Sequence, residues 1–227
     1  MLHCQTIKPC EIFEMTEHST IVRRKVLWGF LSFGVLIVSG LIVSLPKLPG
    51  SVFESEYWRA DAAYNRGERA EAKHLLRQSL RKNPSDAASA MRLGDMMKEE
   101  GRFAEAESLL KQALQIDMRL FGSESWEATL PVVRLATLYE QDGRLDMAQS
   151  LFEDVTRICS KSPDQGFKSL HLAYASAGLA RIYRLKGHSR QAKLALEQAF
   201  KIYKKQLGES DPLTRHAKQD LALMNAS

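Results

Sequence analysis

A chain of 227 residues with 44% hydrophobic and 26% charged residues has the ordinary balance of a folded protein, long enough for one domain plus extras or one elongated domain. The formal net charge of +5 is unevenly spread: residues 54–160 hold 15 Lys/Arg against 19 Asp/Glu, and residues 161–227 hold 12 against 5, an asymmetry that can steer an acidic partner or an anionic surface. Cys4, Cys10 and Cys159 form no CxxC pair, and Cys159 stands alone after residue 53, which excludes a disulfide within that part and leaves zinc-site and thioredoxin-like chemistry without support.

Residues 1–22 read as a disordered tail. The first fourteen show no periodicity, and Met15 opens a polar lead that leaves both Met1 and Met15 as candidate starts. Residues 23–45 read as a transmembrane signal-anchor. Val26 to Leu45 carry no charge, and twenty residues at a helical rise span roughly 30 Å, the thickness of a bilayer core. Arg23, Arg24 and Lys25 precede the stretch, so the expected orientation keeps the N-terminus cytoplasmic and places the rest on the outer side. The competing reading is a cleaved signal peptide, whose apolar core is shorter and ends in small residues; no Ala-x-Ala follows here. Residues 46–53, with Pro46, Pro49 and Gly50, read as a linker.

From residue 54 the chain repeats itself. Four segments align on Gly67, Gly101, Gly143 and Gly187, spaced by 34, 42 and 44 residues, the range of a solenoid. Each unit reads as two helices joined at the glycine, where a positive φ is needed. Seven residues before the glycines stand Ala60, Gly94, Ala136 and Ala180. Five after stand Ala72, Ala106, Ala148 and Ala192, and twelve after stand Ser79, Ala113, Val155 and Ala199. Small side chains at these offsets let helices approach closely, while Leu76, Leu110, Phe152 and Leu196 supply the apolar knobs. Leu213 to Asn225 read as one more helix that covers the last apolar face.

This pattern resembles the tetratricopeptide repeat (TPR), with Tyr139 and Tyr183 among the signature positions and Pro84 closing the first unit. The later units are similar to the kinesin-light-chain variety, whose second helices run on as Ala113 to Gly122 and Ala199 to Gly208 do here. They depart from it where that variety carries two asparagines: Val133 and Arg134, then Ala177 and Gly178, stand there instead. The expected fold is all-α: one N-terminal transmembrane helix, then a TPR α-solenoid of about four helix-turn-helix repeats (54–86, 87–128, 129–172 and 173–212) and a capping helix over 213–226.

The resemblance implies a groove lined by the first helices. By offset it places there Tyr57, Asp61, Tyr64, Met91, Asp95, Lys98, Val133, Thr137, Glu140, Arg181 and Arg184. Acids at one end (Asp61, Asp95) and arginines at the other (Arg181, Arg184) would set the direction of an extended protein or peptide ligand. The competing reading is a catalytic domain using Glu71, His74 or Cys159. Glu71 and His74 share a helix face, but a carboxylate-bridged metal site needs a second such pair, and no phosphate loop, GxSxG or HExxH is present. No cofactor is expected, and nucleic acid is a weak alternative without interleaved aromatics. The sequence therefore reads as a non-catalytic, membrane-anchored adaptor, single-pass, in a bacterial inner membrane with the repeats periplasmic. The alternatives are an exported repeat protein cleaved near Gly50 and a regulatory subunit of an enzyme or of a secretion or envelope complex. Oligomeric state is open.

Overall fold

The computed structural model describes residues 55–161 and 166–226. Among these residues nine α-helices follow in order: α1 (Glu56–Asn65), α2 (Arg69–Lys82), α3 (Ala87–Glu99), α4 (Phe103–Phe121), α5 (Thr129–Gln141), α6 (Leu145–Ser160), α7 (Gly166–Leu185), α8 (Ser189–Leu207) and α9 (Pro212–Ala226). A single 3-10 turn, Trp126–Ala128, leads into α5. The helices pack as hairpins α1–α2, α3–α4, α5–α6 and α7–α8, with α9 laid on α8. Each second helix touches the next first helix, and α3–α5 and α5–α7 also meet directly.

The turn chemistry repeats four times. Gly67, Gly101, Gly143 and Gly187 have φ of 82, 73, 78 and 78°. The amide that follows each glycine donates to a carbonyl five residues back: Glu68 to Ala63 (2.9 Å), Arg102 to Met97 (2.9 Å), Arg144 to Tyr139 (2.8 Å) and His188 to Tyr183 (2.8 Å). This bond satisfies a carbonyl that the ending helix would otherwise leave open. A side chain at these glycines would be strained by the backbone alone.

The hairpins close on small residues. Ala60, Ala72, Ala106, Ala113, Ala136, Ala148, Ala180, Ala192 and Ala199 are all buried, as are Leu76, Leu110 and Phe152 between them. Gly178 marks the tightest approach: a Cβ there would stand 2.4 Å from two atoms of the Phe152 ring, and one at Gly94 would stand 3.0 Å from Leu110. The residue replacing an expected asparagine in α7 is thus the seat of an aromatic ring from α6.

The expected transmembrane helix and the single-pass localisation built on it are corrected. No helix of the described residues is long and apolar enough to cross a membrane. The long helices all carry charge: α7 holds Lys168, Arg181 and Arg184, α4 holds Glu105, Glu107, Lys111, Asp117 and Arg119, and α8 holds six charged side chains between Arg190 and Lys205. The stretch 26–45 lies outside the described residues. What stands is an all-α solenoid of helix pairs, without support for membrane contact.

The Gly178 contact yields a stability prediction. Gly178→Ala gains about 1 kcal/mol of helix propensity but forces the Phe152 ring to move, and overpacking of this kind costs about 1–3 kcal/mol. Urea unfolding should show a net loss for Gly178→Ala that shrinks when Phe152→Leu is added. Gly94→Ala, meeting the Leu110 side chain at 3.0 Å and the Ala106 carbonyl at an ordinary 3.4 Å, should stay within about 1 kcal/mol of the parent.

Candidate interaction surface on the first helices

The charged residues of the first helices bind one another across repeats. On α1, Asp61 accepts from Arg92 of α3 at 2.8 Å. On α3, Asp95 accepts from Arg134 of α5, with Lys98 Nζ 3.5 Å from its other oxygen. On α5, Glu140 takes both arms of Arg181 of α7, at 2.6 and 2.7 Å. The first two junctions share one geometry: the acid stands six residues before its turn glycine and the arginine nine before the next. At the third junction those places hold Thr137 and Gly178, and the pair moves one turn along, to three and six before. Bidentate and buried guanidinium–carboxylate pairs of this sort are strong because their geometry is fixed and their charge is screened little.

A second row joins first helices to the preceding second helices. The Tyr139 hydroxyl donates to Glu107 of α4 at 2.9 Å, and Arg144 reaches the same carboxylate at 2.8 Å while its guanidinium lies 4.2 Å over the Tyr139 ring. Lys111 adds a second cation, and a third partner, to Glu107 at 2.7 Å. Together Lys111, Arg144 and Tyr139 hold the Glu107 carboxyl down at about 2. Tyr183 repeats the device with Glu153 of α6 at 3.4 Å. In the first repeat the ring belongs to Tyr64, whose hydroxyl donates forward to Glu99 at 2.8 Å beneath the Arg92 guanidinium, 4.1 Å from its centroid.

These bonds sort the eleven residues expected in the groove. Val133 is 1% exposed and belongs to the core, and Tyr64, Asp95 and Lys98 are buried as well. Asp61, Glu140 and Arg181 are partly open but spent on their partners. Tyr57, Met91 and Thr137 are half-buried, and Arg184 is exposed. Of the charges expected to set a polarity along this face, Asp61, Asp95 and Arg181 are paired across junctions, while Arg184 has no ion-pair partner among the described residues. Arg92 and Arg134, the other halves of two pairs, are not among the residues that the offsets placed in the groove; Arg134 stands out in the sequence only as a departure from an expected asparagine. Their shared offset before the glycine was the signal that could have found them.

The remaining candidates for chemistry lie apart. Glu71 and His74 are exposed on α2. Cys159 is buried in a polar knot between α5, α6 and α7. The Thr129 hydroxyl donates to the Trp126 carbonyl at 2.6 Å, meets His171 Nδ1 at 2.9 Å and lies 3.9 Å from the Cys159 sulfur. With the hydroxyl proton used on the carbonyl, His171 Nδ1 is the donor in that contact. Among the described residues, no group of three His, Cys, Asp or Glu is placed to hold a metal ion. Asp117 on α4 is 8% exposed, and desolvation raises its carboxyl to about 6.

Comparison with known proteins agrees with the helix pairs. Family models described as tetratricopeptide repeat match residues 54–86, 86–161 and 126–205. The chain belongs to the tetratricopeptide-repeat family. Among solved structures, the TPR resembles the nearly identical TPR-like repeats of the kinesin light chain type from Podosopora anserina, at 26% identity over 77% of this chain and 85% of that one, with a TM-score of 0.59. It also resembles BtubC (BKLC) from P. vanneervenii, at 20% identity over 78% of this chain and 67% of that one, with a TM-score of 0.57. No curated protein matches. TPR proteins are in general protein-interaction scaffolds and typically non-catalytic, and no catalytic family is indicated.

Two carboxylates give opposite pH signatures. The lowered Glu107 contributes stability that is present above about 4.5 and disappears as pH falls toward about 2. The stability deficit of Glu107→Gln should therefore close over that window. The raised Asp117 binds its proton more tightly when folded, so its stabilising share is complete below 3.8 and is lost as pH rises through about 6. Asp117→Asn should raise the unfolding free energy at pH 7 by up to about 3 kcal/mol and change it little below pH 3.8, as read by urea titration at each pH.

Proposed function

We propose that this TPR protein is a non-catalytic scaffold that holds a segment of a partner protein along its first helices. The division that goes with it is a solenoid over 54–227, with repeats at 54–86, 87–128, 129–172 and 173–212 and a cap at 213–226. The observation that carries the reading is the direct succession of first helices, α3 on α5 and α5 on α7. Their charges are already paired across each junction, and Tyr57, Met91 and Thr137 remain half-open between them. A surface whose ions are satisfied internally gives little to a charged ligand, because a competing ion must break a formed pair. Its partner is accordingly a segment that offers apolar side chains and backbone groups to this face, with affinity concentrated in a few aromatic and methionine contacts. An enzyme or a member of a larger assembly fits as that partner.

A photo-crosslinking amino acid placed at Met91 should capture partner protein in cells. The same group at Gln115, on the outer side of α4, should not. Thr137→Arg should abolish the Met91 product without lowering the thermal midpoint of the purified protein. Equal capture at both positions would sink the reading.

A further inference from the structure

The four hairpin turns differ in one respect. At the first, Arg66 pairs with Glu68 at 2.5 Å. At the second, Arg102 pairs with Glu105 at 2.5 Å and Glu100 at 3.5 Å. At the third, Arg144 pairs with Asp142 at 2.7 Å and Glu107 at 2.8 Å. The fourth, between α7 and α8, reads Arg184-Leu185-Lys186-Gly187-His188-Ser189-Arg190, and no acid occurs from residue 184 to residue 196. Lys186 reaches away to Asp146 of α6 at 2.6 Å. Arg184 and Arg190 are exposed and have no ion-pair partner among the described residues. Between them Leu185 is 64% exposed.

We propose that this α7–α8 turn is a docking surface for an acidic protein segment carrying an aliphatic residue, distinct from the Tyr57–Met91–Thr137 face. Like charges held together without a counter-ion repel, and an incoming carboxylate relieves that repulsion at the same moment that it forms its own pairs. Leu185, exposed and next to Arg184 in the chain, supplies an apolar contact beside the charge, a combination that lets charge steer and burial retain. The occupant is protein rather than membrane, because the outer face of α8 places Leu194 among Arg190, Glu197 and Lys201 and offers no continuous apolar strip for a bilayer. Nucleic acid is disfavoured because Tyr183, the aromatic nearest the turn, lies tilted against the His188 ring with its hydroxyl bonded to Glu153, and so presents no free stacking platform for a base.

The test is fluorescence anisotropy with a labelled peptide alternating glutamate and leucine, titrated with the full chain at low and high salt. Arg184→Glu with Arg190→Glu should weaken binding on the order of tenfold or more and remove most of its salt dependence, with Arg184→Gln and Arg190→Gln intermediate. The four arginines changed in these variants and in the α2 control are exposed, and circular dichroism melts verify the folding of every variant. Arg77→Glu with Arg81→Glu, an equally exposed pair on α2, should bind as the parent does, and Met91→Ala should too, which separates this surface from the first-helix face. Equal loss in the Arg77/Arg81 variant would overturn the proposal, since general charge attraction would then suffice. So would vesicles of phosphatidylserine or duplex DNA binding through Arg184 and Arg190 while the peptide does not.

Discussion

An arginine that reaches back from one first helix to an acid on the preceding one is the interaction on which the rest of this molecule depends. A helix hairpin of this size cannot bury both of its faces, so each must be closed by its neighbour. Alanines and glycines bring the helices near, but apolar contact alone is tolerant of sliding. The Asp61–Arg92, Asp95–Arg134 and Glu140–Arg181 pairs tie each repeat to the next, and in the buried Asp95–Arg134 pair desolvation offsets much of the attraction, so that its geometry acts on register more than on net stability. The one-turn shift at the third junction coincides with the position where Gly178 takes the Phe152 ring, so packing and charge change together.

The helix pairs were legible because their signals are local. A glycine at positive φ ends each first helix, small residues recur at fixed distances from it, and the repetition multiplies a weak pattern by four. Burial of the residues expected to line a groove was legible only in part: Tyr57 and Met91 are half-buried, but Val133 is core and Asp95 and Lys98 are buried, because α3 and α5 touch directly and enclose what an isolated hairpin would expose. Arg92 and Arg134 lie 31 and 39 residues from their acids, a separation that only the fold closes. The single-pass anchor did not carry over: hydropathy of one stretch was asked to decide a localisation, and every described helix of sufficient length is charged.

Self-pairing gives the scaffold an economy of surface. Ions that would otherwise attract any oppositely charged segment are committed at the first-helix junctions by the Asp61–Arg92, Asp95–Arg134 and Glu140–Arg181 pairs, while Arg184 and Arg190 at the α7–α8 turn have no ion-pair partner among the described residues.

A double-mutant cycle on Asp95 and Arg134, followed by urea unfolding of Asp95→Asn, Arg134→Met and their combination, tests the ladder most directly. A coupling energy above about 1 kcal/mol, with the double variant losing much less than the sum of the singles, is the predicted result. Losses that add to within about 0.5 kcal/mol would contradict it, and the junctions would then rest on apolar packing alone.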